Sequence, residues 1–164
     1  MNWDAVIAVT EILGLIAIIA SLVYVGKQLK QNADLARASI IHETSVAWTN
    51  ASALIASDAE LTDISLRGIQ GDELTAVETA RLEALIDIYM AILEDIDHQY
   101  KMDLYFDEED TLDIVDYLAP LYKDLMMSPV GRNWWATIAE TTHAPSFYKK
   151  MSRIIEEWEA EDHS

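Results

Sequence analysis

Residues 5–25, AVIAVTEILGLIAIIASLVYV, are the stretch that decides the fold. They are almost entirely apolar, and Glu11 is their one charged side chain. A helix rises about 1.5 Å per residue, so this stretch forms a helix of about 31 Å, the thickness of the hydrocarbon core of a bilayer. The stretch therefore predicts a single membrane-spanning helix near the amino terminus.

Two other structures contain stretches of this kind, a cleaved signal peptide and a buried helix of a soluble protein. A signal peptide begins with basic residues and ends at a small-x-small cleavage site. Residues 1–4, MNWD, include no Lys or Arg, and no convincing Ala-x-Ala follows the apolar core. A buried helix is disfavoured because a domain of this size rarely hides an apolar run of this length.

The charges beside the stretch predict its orientation, because Lys and Arg accumulate on the cytoplasmic side of a span. Asp4 alone precedes it, whereas three basic residues follow, Lys27, Lys30 and Arg37. We therefore expect a periplasmic amino terminus, a cytoplasmic domain, and contacts of the three basic side chains with lipid headgroups. The two aromatic residues near the ends of the span, Trp3 and Tyr24, are typical interface anchors.

One face of the predicted span carries small and polar residues. Steps of three and four residues define this face, the packing stripe: Glu11, Gly14, Ile18, Ser21, Val25 and Gln28, with Asn32 beyond them. Small residues let membrane helices approach closely and polar residues bond between them, so the stripe predicts contact with another membrane helix. The alternative is that Glu11 reaches the nearby interface, or is protonated, and contacts no protein.

The composition excludes some partners and favours others. The chain has 29 acidic and 11 basic residues, and residues 32–164 carry all of the net charge of −18. Nucleic acid and anionic lipid surfaces attract basic proteins, so we expect neither to bind the acidic part. A basic protein surface is the natural partner, unless the acidity serves only solubility. The absence of cysteine excludes a disulfide framework.

The remaining chain predicts an all-α fold, since it contains few Gly and Pro residues and much Ala, Leu, Ile and Glu. No clear breaker ends the span, so we expect one helix from near Asp4 to near Ser57. It would provide a transmembrane anchor at 1–27 and a stalk helix at 28–57. An acidic helical domain at 58–164 would pack on the stalk, with Trp48 in the contact.

Local signals predict where the helices of the acidic domain begin and end. Ser57-Asp58 starts a short helix that ends at Gly68, and Thr75-Ala-Val-Glu78 is a capping box. Asp107 caps a later helix that Pro120 kinks. Ser128-Pro129 starts another helix, and Ala144-Pro145-Ser146 interrupts the chain before the last one.

The sequence contains no recognisable catalytic or cofactor-binding set, so we expect a protein that is not an enzyme. It has no Cys, no Gly-x-Ser-x-Gly and no Gly-rich phosphate loop. Asp95 and His98, three residues apart on one helical face, have the spacing of metal ligands in di-iron helical bundles. A second pair of this kind is missing, so a solvated acidic face is the alternative reading.

Two adjacent tryptophans, Trp134 and Trp135, are candidates for a partner-binding surface. Successive residues of a helix point in different directions, so we expect one of the two at a surface, where it could bind a protein. The alternative is that it packs on a neighbouring helix of the same chain.

Three segments carry a resemblance that covers nearly the whole chain. They are Trp3…Glu11-Ile12-Leu13-Gly14…Ser21-Leu22-Val23-Tyr24…Gln28…Gln31-Asn32, then Leu74-Thr75-Ala-Val-Glu78, then Pro129-Val130-Gly131-Arg132-Asn133-Trp134-Trp135. With them the chain resembles a group of small membrane proteins of Gram-negative bacteria that have one amino-terminal span and an acidic helical domain. The resemblance implies a single-span helical protein and implies no activity.

These features together predict a non-catalytic accessory or scaffold subunit of an inner-membrane protein complex, whose packing stripe contacts a partner helix. One alternative is a homo-oligomer that assembles through the same stripe. Another is a ligand sensor, in which the helical domain encloses a small molecule.

Overall fold

The structure, a computed structural model, describes residues 3–102 and 113–162, and within these ranges every regular element is a helix. The all-α prediction is therefore confirmed for the described chain. The elements in chain order are α1 (Trp3–Ser57), α2 (Ala59–Gln70), α3 (Ala76–Lys101), α4 (Ile114–Leu118), a 3-10 turn (Ala119–Tyr122), α5 (Lys123–Met127), α6 (Pro129–Trp134), a π turn (Trp135–Ala139), α7 (Glu140–Thr142) and α8 (Pro145–Asp162).

The chain divides into two compact units, Met1–Ile40 and Ile41–Ser164, and α1 contributes residues to both. In the first unit, the described side chains between residues 3 and 39 are all exposed. Helix α1 continues through Gly26 without a break, since the helix formers on both sides tolerate one glycine at a cost of about 1 kcal/mol.

The second unit has a hydrophobic core to which α3 contributes a continuous face. Leu82, Ile86, Met90 and Leu93, spaced by three or four residues, are completely buried. This spacing places them on one side of the helix, and α3 contacts α2, α4 and α6. The apolar periodicity of this segment therefore has its usual cause, burial of one helix face.

Residues 41–57 of α1 also belong to the second unit. Ala51 is buried in the core, and the Trp48 ring lies 6.4 Å from the Tyr89 ring and 5.8 Å from the Tyr122 ring. The two tyrosine rings lie 5.1 Å apart. This trio of rings joins three segments that are distant in sequence.

The connection between α2 and α3 is fixed by local hydrogen bonds at both helix ends. Helix α2 ends in a Schellman motif, in which Asp72 N–H donates to Arg67 O at 2.9 Å and Gly71 N–H donates to Gly68 O at 3.2 Å. Gly71 has φ +81°, the left-handed conformation that favours glycine. The predicted end at Gly68 is therefore wrong, because Gly68 lies inside the helix, with Leu82 too close for a Cβ.

The predicted capping box begins α3. Thr75 Oγ1 accepts from Glu78 N–H at 3.3 Å, and Thr75 N–H donates to Glu78 Oε2 at 2.7 Å. Glu78 also pairs with Arg67 of α2. The backbone hydrogen bond from Thr75, followed by the bond from Arg67, lowers the pKa of Glu78 to about 2.

The helix start predicted at Ser128 is present, since Ser128 caps α6 by accepting Gly131 N–H at 3.0 Å. The sequence predicts that Pro120 kinks one helix, but it lies in a 3-10 turn that separates α4 from α5. The helix start predicted at Asp107 lies outside the described residues. Within them, Asp113 caps α4, since its carboxylate accepts Val115 N–H at 3.0 Å.

A cluster of charges around the buried Asp97 joins α3, α4 and α8. The Asp97 side chain is almost fully buried and accepts from Lys101 Nζ at 2.5 Å and Lys150 Nζ at 2.7 Å. Lys150 Nζ also donates to Asp113 Oδ1 at 2.9 Å. Burial works to lower the pKa of Lys150, but hydrogen bonds to Asp113 and Asp97 outweigh it and raise that pKa. Burial likewise works to raise the pKa of Asp113, and its bond from Lys150 lowers it overall.

Asp113→Asn is expected to remove a pH-dependent part of the stability. The folded pKa of Asp113 lies below its usual value, so the carboxylate stabilises the fold above about pH 4 and stops doing so as the pH falls through the folded pKa. The variant should therefore unfold at lower urea concentration than the native protein at about pH 7, and the difference should shrink as the pH falls through the folded pKa of Asp113. Asn retains the cap, so an equal difference at both pH values would contradict this assignment.

Candidate functional site

The apolar stretch of α1 lies on the surface of the first unit. Among the described residues, one helix is long and apolar enough to cross a membrane, with a mean hydropathy of 2.3, and none of its most apolar window is buried. Large exposed side chains occur all around it, among them Ile12, Leu13, Ile16, Ile19 and Leu22. A helix that is apolar on every side is typical of a lipid or a protein environment.

The residues of the packing stripe are all exposed in the described chain: Glu11, Gly14, Ile18, Ser21, Val25 and Gln28. A Cβ added at Gly14 would meet nothing within 4 Å. Ser21 Oγ donates to Ala17 O at 2.8 Å, and Gln28 Nε2 donates to Tyr24 Oη at 2.9 Å. The stripe therefore has room at Gly14 for another backbone, and two of its polar groups bond within their own helix.

The residues predicted to mark the interfaces lie on the same exposed helix. Trp3 and Tyr24 are both exposed, as are Lys27, Lys30 and Arg37. Along α1, the two aromatic residues flank the apolar stretch and the three basic residues follow it, which is the arrangement expected of a span. Membrane contact and orientation stay predictions.

The two candidate metal ligands do not form part of a larger ligand set in the described chain. Asp95 and His98 are both exposed. Asp95 faces a cleft that also contains Glu43, and His98 is not among the residues that line it. Within residues 3–102 and 113–162, no group of three His, Cys, Asp or Glu side chains is arranged to hold a metal ion.

The expectation that Trp134 or Trp135 lies at a surface is wrong. The two side chains are 2% and 6% exposed. Trp135 stacks on Tyr148 with ring centroids 5.2 Å apart, and its Nε1 donates to Ser152 Oγ at 3.1 Å. The two adjacent side chains point in different directions, as expected, but α8 packs over Trp135. Both tryptophans are therefore buried, each against a different part of the protein.

A buried histidine that the sequence reading missed lies beside these tryptophans. The His143 side chain is 3% exposed, and its Nδ1 lies 2.6 Å from Glu94 Oε2. Because the facing atom is a carboxylate oxygen, we assign the proton to Nδ1. Nε2 is buried and has no hydrogen-bond partner among the described residues. Aromatic rings surround the imidazole, those of Trp134, Trp135 and Phe147.

Glu94, which lies on α3, also bonds to the backbone at the start of helix α8. Ala144 accepts the first helical bond, from Tyr148 N–H at 3.0 Å, but an alanine side chain cannot cap a helix. Glu94 Oε1 instead accepts the N–H of Ala144 at 2.7 Å, which is the bond that a Glu at the third helical position makes in a capping box. A carboxylate at this end also interacts favourably with the helix dipole. The histidine and the helix start therefore share one carboxylate on α3.

Two cavities lie in the second unit, where residues 43–49 of α1 approach α3 and α4. The apolar groove has a volume of about 390 Å³, opens to solvent, and is lined by Thr44, Ser45, Trp48, Thr49, Ile96, Leu118 and Leu121. The acidic cleft has a volume of about 240 Å³ and is lined by Glu43, Thr44, Ala47, Ile92, Asp95 and Gln99. Thr44 lines both, and its hydroxyl donates to Gln99 Oε1 at 3.0 Å.

The floor beneath the apolar groove is aromatic. Trp48 lines the groove and contacts the buried Tyr89 and Tyr122 rings. The Tyr122 hydroxyl is buried without a hydrogen-bond partner among residues that the structure describes, and burial raises its pKa. The groove therefore has an aromatic floor that buried rings support.

Glu94→Ala is expected to lower the free energy of unfolding by about 1–3 kcal/mol, because buried His143 and Ala144 N–H both lose their acceptor. Asp87→Ala is the matched control, since Asp87 is an exposed acidic residue on the same helix. Urea unfolding followed by tryptophan fluorescence measures both variants. Equal stability of the two variants would show that the Glu94 bonds contribute nothing.

The surface of α1 and the groove of the second unit are thus two apolar features that the described chain leaves uncovered. The buried histidine and the charge cluster hold helices together. Protein-family models, curated proteins and solved structures give no match to this chain.

Proposed function

We propose that the protein is a non-catalytic, single-span accessory or scaffold subunit of an inner-membrane protein complex. Its amino terminus would be periplasmic and its helical domain cytoplasmic. The observation that carries the proposal is the exposed apolar surface of α1 between Ile7 and Val25. A second unit with its own core supports it, because that unit does not require this surface for its fold.

A bilayer would remove the main cost of this surface. Each large aliphatic side chain exposed to water forgoes about 1.5–3 kcal/mol of burial free energy. Many such side chains are exposed on α1, so the summed penalty in water is larger than the stability of an ordinary domain. Lipid chains cover an apolar helix without any specific protein contact.

The packing stripe would give the anchor a partner. A carboxylate within a span is costly unless it faces protein or water, and Glu11 stands one turn from Gly14, where there is room for another backbone. A partner helix packed at Gly14 would bring its own polar groups close to Glu11. The chain would then act by holding its acidic domain beside that partner.

Self-assembly through the same stripe is the second candidate, favoured by the same room at Gly14. Ligand sensing by the helical domain is the third, and the apolar groove is the observation in its favour. Because this groove opens to solvent, it resembles a docking surface more than an enclosed small-molecule site.

The test is extraction of the native protein in mild detergent, followed by sizing and mass spectrometry of what travels with it. We expect foreign membrane subunits in stoichiometric amounts. Glu11→Ala should reduce their recovery about fivefold, since an interhelical polar contact contributes about 1 kcal/mol. Leu13→Ala is the control, because residue 13 lies about 200° around the helix from residue 11.

A large particle that contains this chain alone would replace the accessory role with self-assembly. A lone monomer would contradict both, and an equal loss with Leu13→Ala would show that the stripe is not the contact.

A further inference from the structure

We infer that the apolar groove and the acidic cleft together bind a basic amphipathic segment of a partner protein. This inference rests on the proposed accessory role and deepens it, because it specifies the charge and polarity of the segment that the helical domain binds. It concerns the second unit and does not involve the packing stripe.

The apolar half of the site is the groove beside Trp48. Leu121 on its rim is 66% exposed, and it lines the groove together with Trp48 and Ile96. A tryptophan backed by buried rings is the kind of rigid aromatic surface at which interface energy concentrates. The volume of about 390 Å³ accepts apolar side chains of an incoming segment.

The charged half is the cleft on the other side of Thr44. It contains the carboxylates of Glu43 and Asp95 next to the amide of Gln99, and Asp95 is exposed. Because Thr44 lines both cavities, a segment seated in the groove would place neighbouring side chains in the cleft. A Lys or Arg at that place would meet two carboxylates.

The charge of the second unit favours a basic occupant. Three of the 29 acidic and three of the 11 basic residues precede residue 41, so this unit carries the whole net charge of −18. Most of its cations already pair with carboxylates of the same unit: Arg67, Arg81, Lys101, Lys123, Lys150 and Arg153. The surface that meets a partner is therefore dominated by negative charge, which attracts basic segments.

The same charge disfavours the other occupants of an apolar groove. A second copy would bring another net charge of −18 against the first, and an anionic lipid surface would repel the unit. A small apolar molecule has no charge to complement the acidic cleft. A basic amphipathic segment uses both cavities, with apolar side chains at helical spacing and basic side chains beside them.

The experiment uses the full chain in a zwitterionic phosphatidylcholine nanodisc and a fluorescein-labelled synthetic helix of Lys and Leu, about 18 residues long. Fluorescence anisotropy should show saturable binding that weakens as salt is added. A peptide with Glu in place of Lys should show no saturable binding. Empty nanodiscs give the background from partitioning of the peptide into lipid, and binding to the protein-loaded discs should exceed it at least about tenfold.

Two variants test the two halves of the site. Leu121→Ala removes apolar contact and Asp95→Lys reverses charge in the cleft, and each should weaken peptide binding about tenfold. Leu66→Ala and Asp87→Lys are the matched controls at exposed positions outside both cavities, and each should change binding by less than about twofold.

Equal effects of the site variants and the controls would overturn the inference, because the attraction would then be non-specific. Binding of a neutral apolar dye that Leu121→Ala abolishes, without peptide binding, would instead identify a small-molecule site. Self-association that Leu121→Ala abolishes would identify a second copy as the occupant. Each of these results is independent of co-extraction through Glu11, so the inference and the proposed function fail separately.

Discussion

Water-exposed hydrocarbon on α1 is the constraint on which the rest of the account depends. Between Ile7 and Val25 the large apolar side chains are all exposed, and the hydrophobic effect makes such a surface unfavourable in water. We propose that a bilayer covers this surface along the length of the helix, and Glu11 is the position that a bilayer alone solvates poorly.

The second unit is stabilised by interactions of a different kind. Its core joins segments through buried aliphatic and aromatic side chains, and three acidic residues fix the helices around it by accepting hydrogen bonds. Glu94 bonds His143 and the start of α8, Asp97 binds two lysines, and Glu78 closes the α2–α3 connection. Part of the acidity is thus structural.

Local chemistry explains which features could be predicted from the sequence. The capping box at Thr75 and the helix start at Ser128 each depend on residues three positions apart. Both can therefore be recognised from the sequence alone. The sequence predicts the end of α2 at Gly68 rather than at Gly71, because either glycine could end a helix. Only the packing of Leu82 against Gly68 and the positive φ of Gly71 separate them.

Long-range contacts explain what could not be predicted. Glu94 and His143 are 49 residues apart, and no spacing rule connects them. Trp135 is buried because α8 returns to cover it, which depends on where Glu94 places the start of that helix. The groove and the cleft are formed by segments around residues 44, 95 and 121, and a hydrophobic pattern gives no sign of how these segments meet.

The most direct measurement is cysteine labelling, because the chain contains no cysteine of its own. Asp4→Cys and Asp87→Cys, each in an otherwise native chain, are treated in bacterial spheroplasts with a maleimide that cannot cross membranes. We predict that the protein stays in the membrane fraction at high pH. We also predict labelling at position 4 before lysis and at position 87 only after lysis. Labelling at neither position before lysis, with the protein in the soluble fraction, would contradict the membrane span, and labelling at position 87 alone would contradict its orientation.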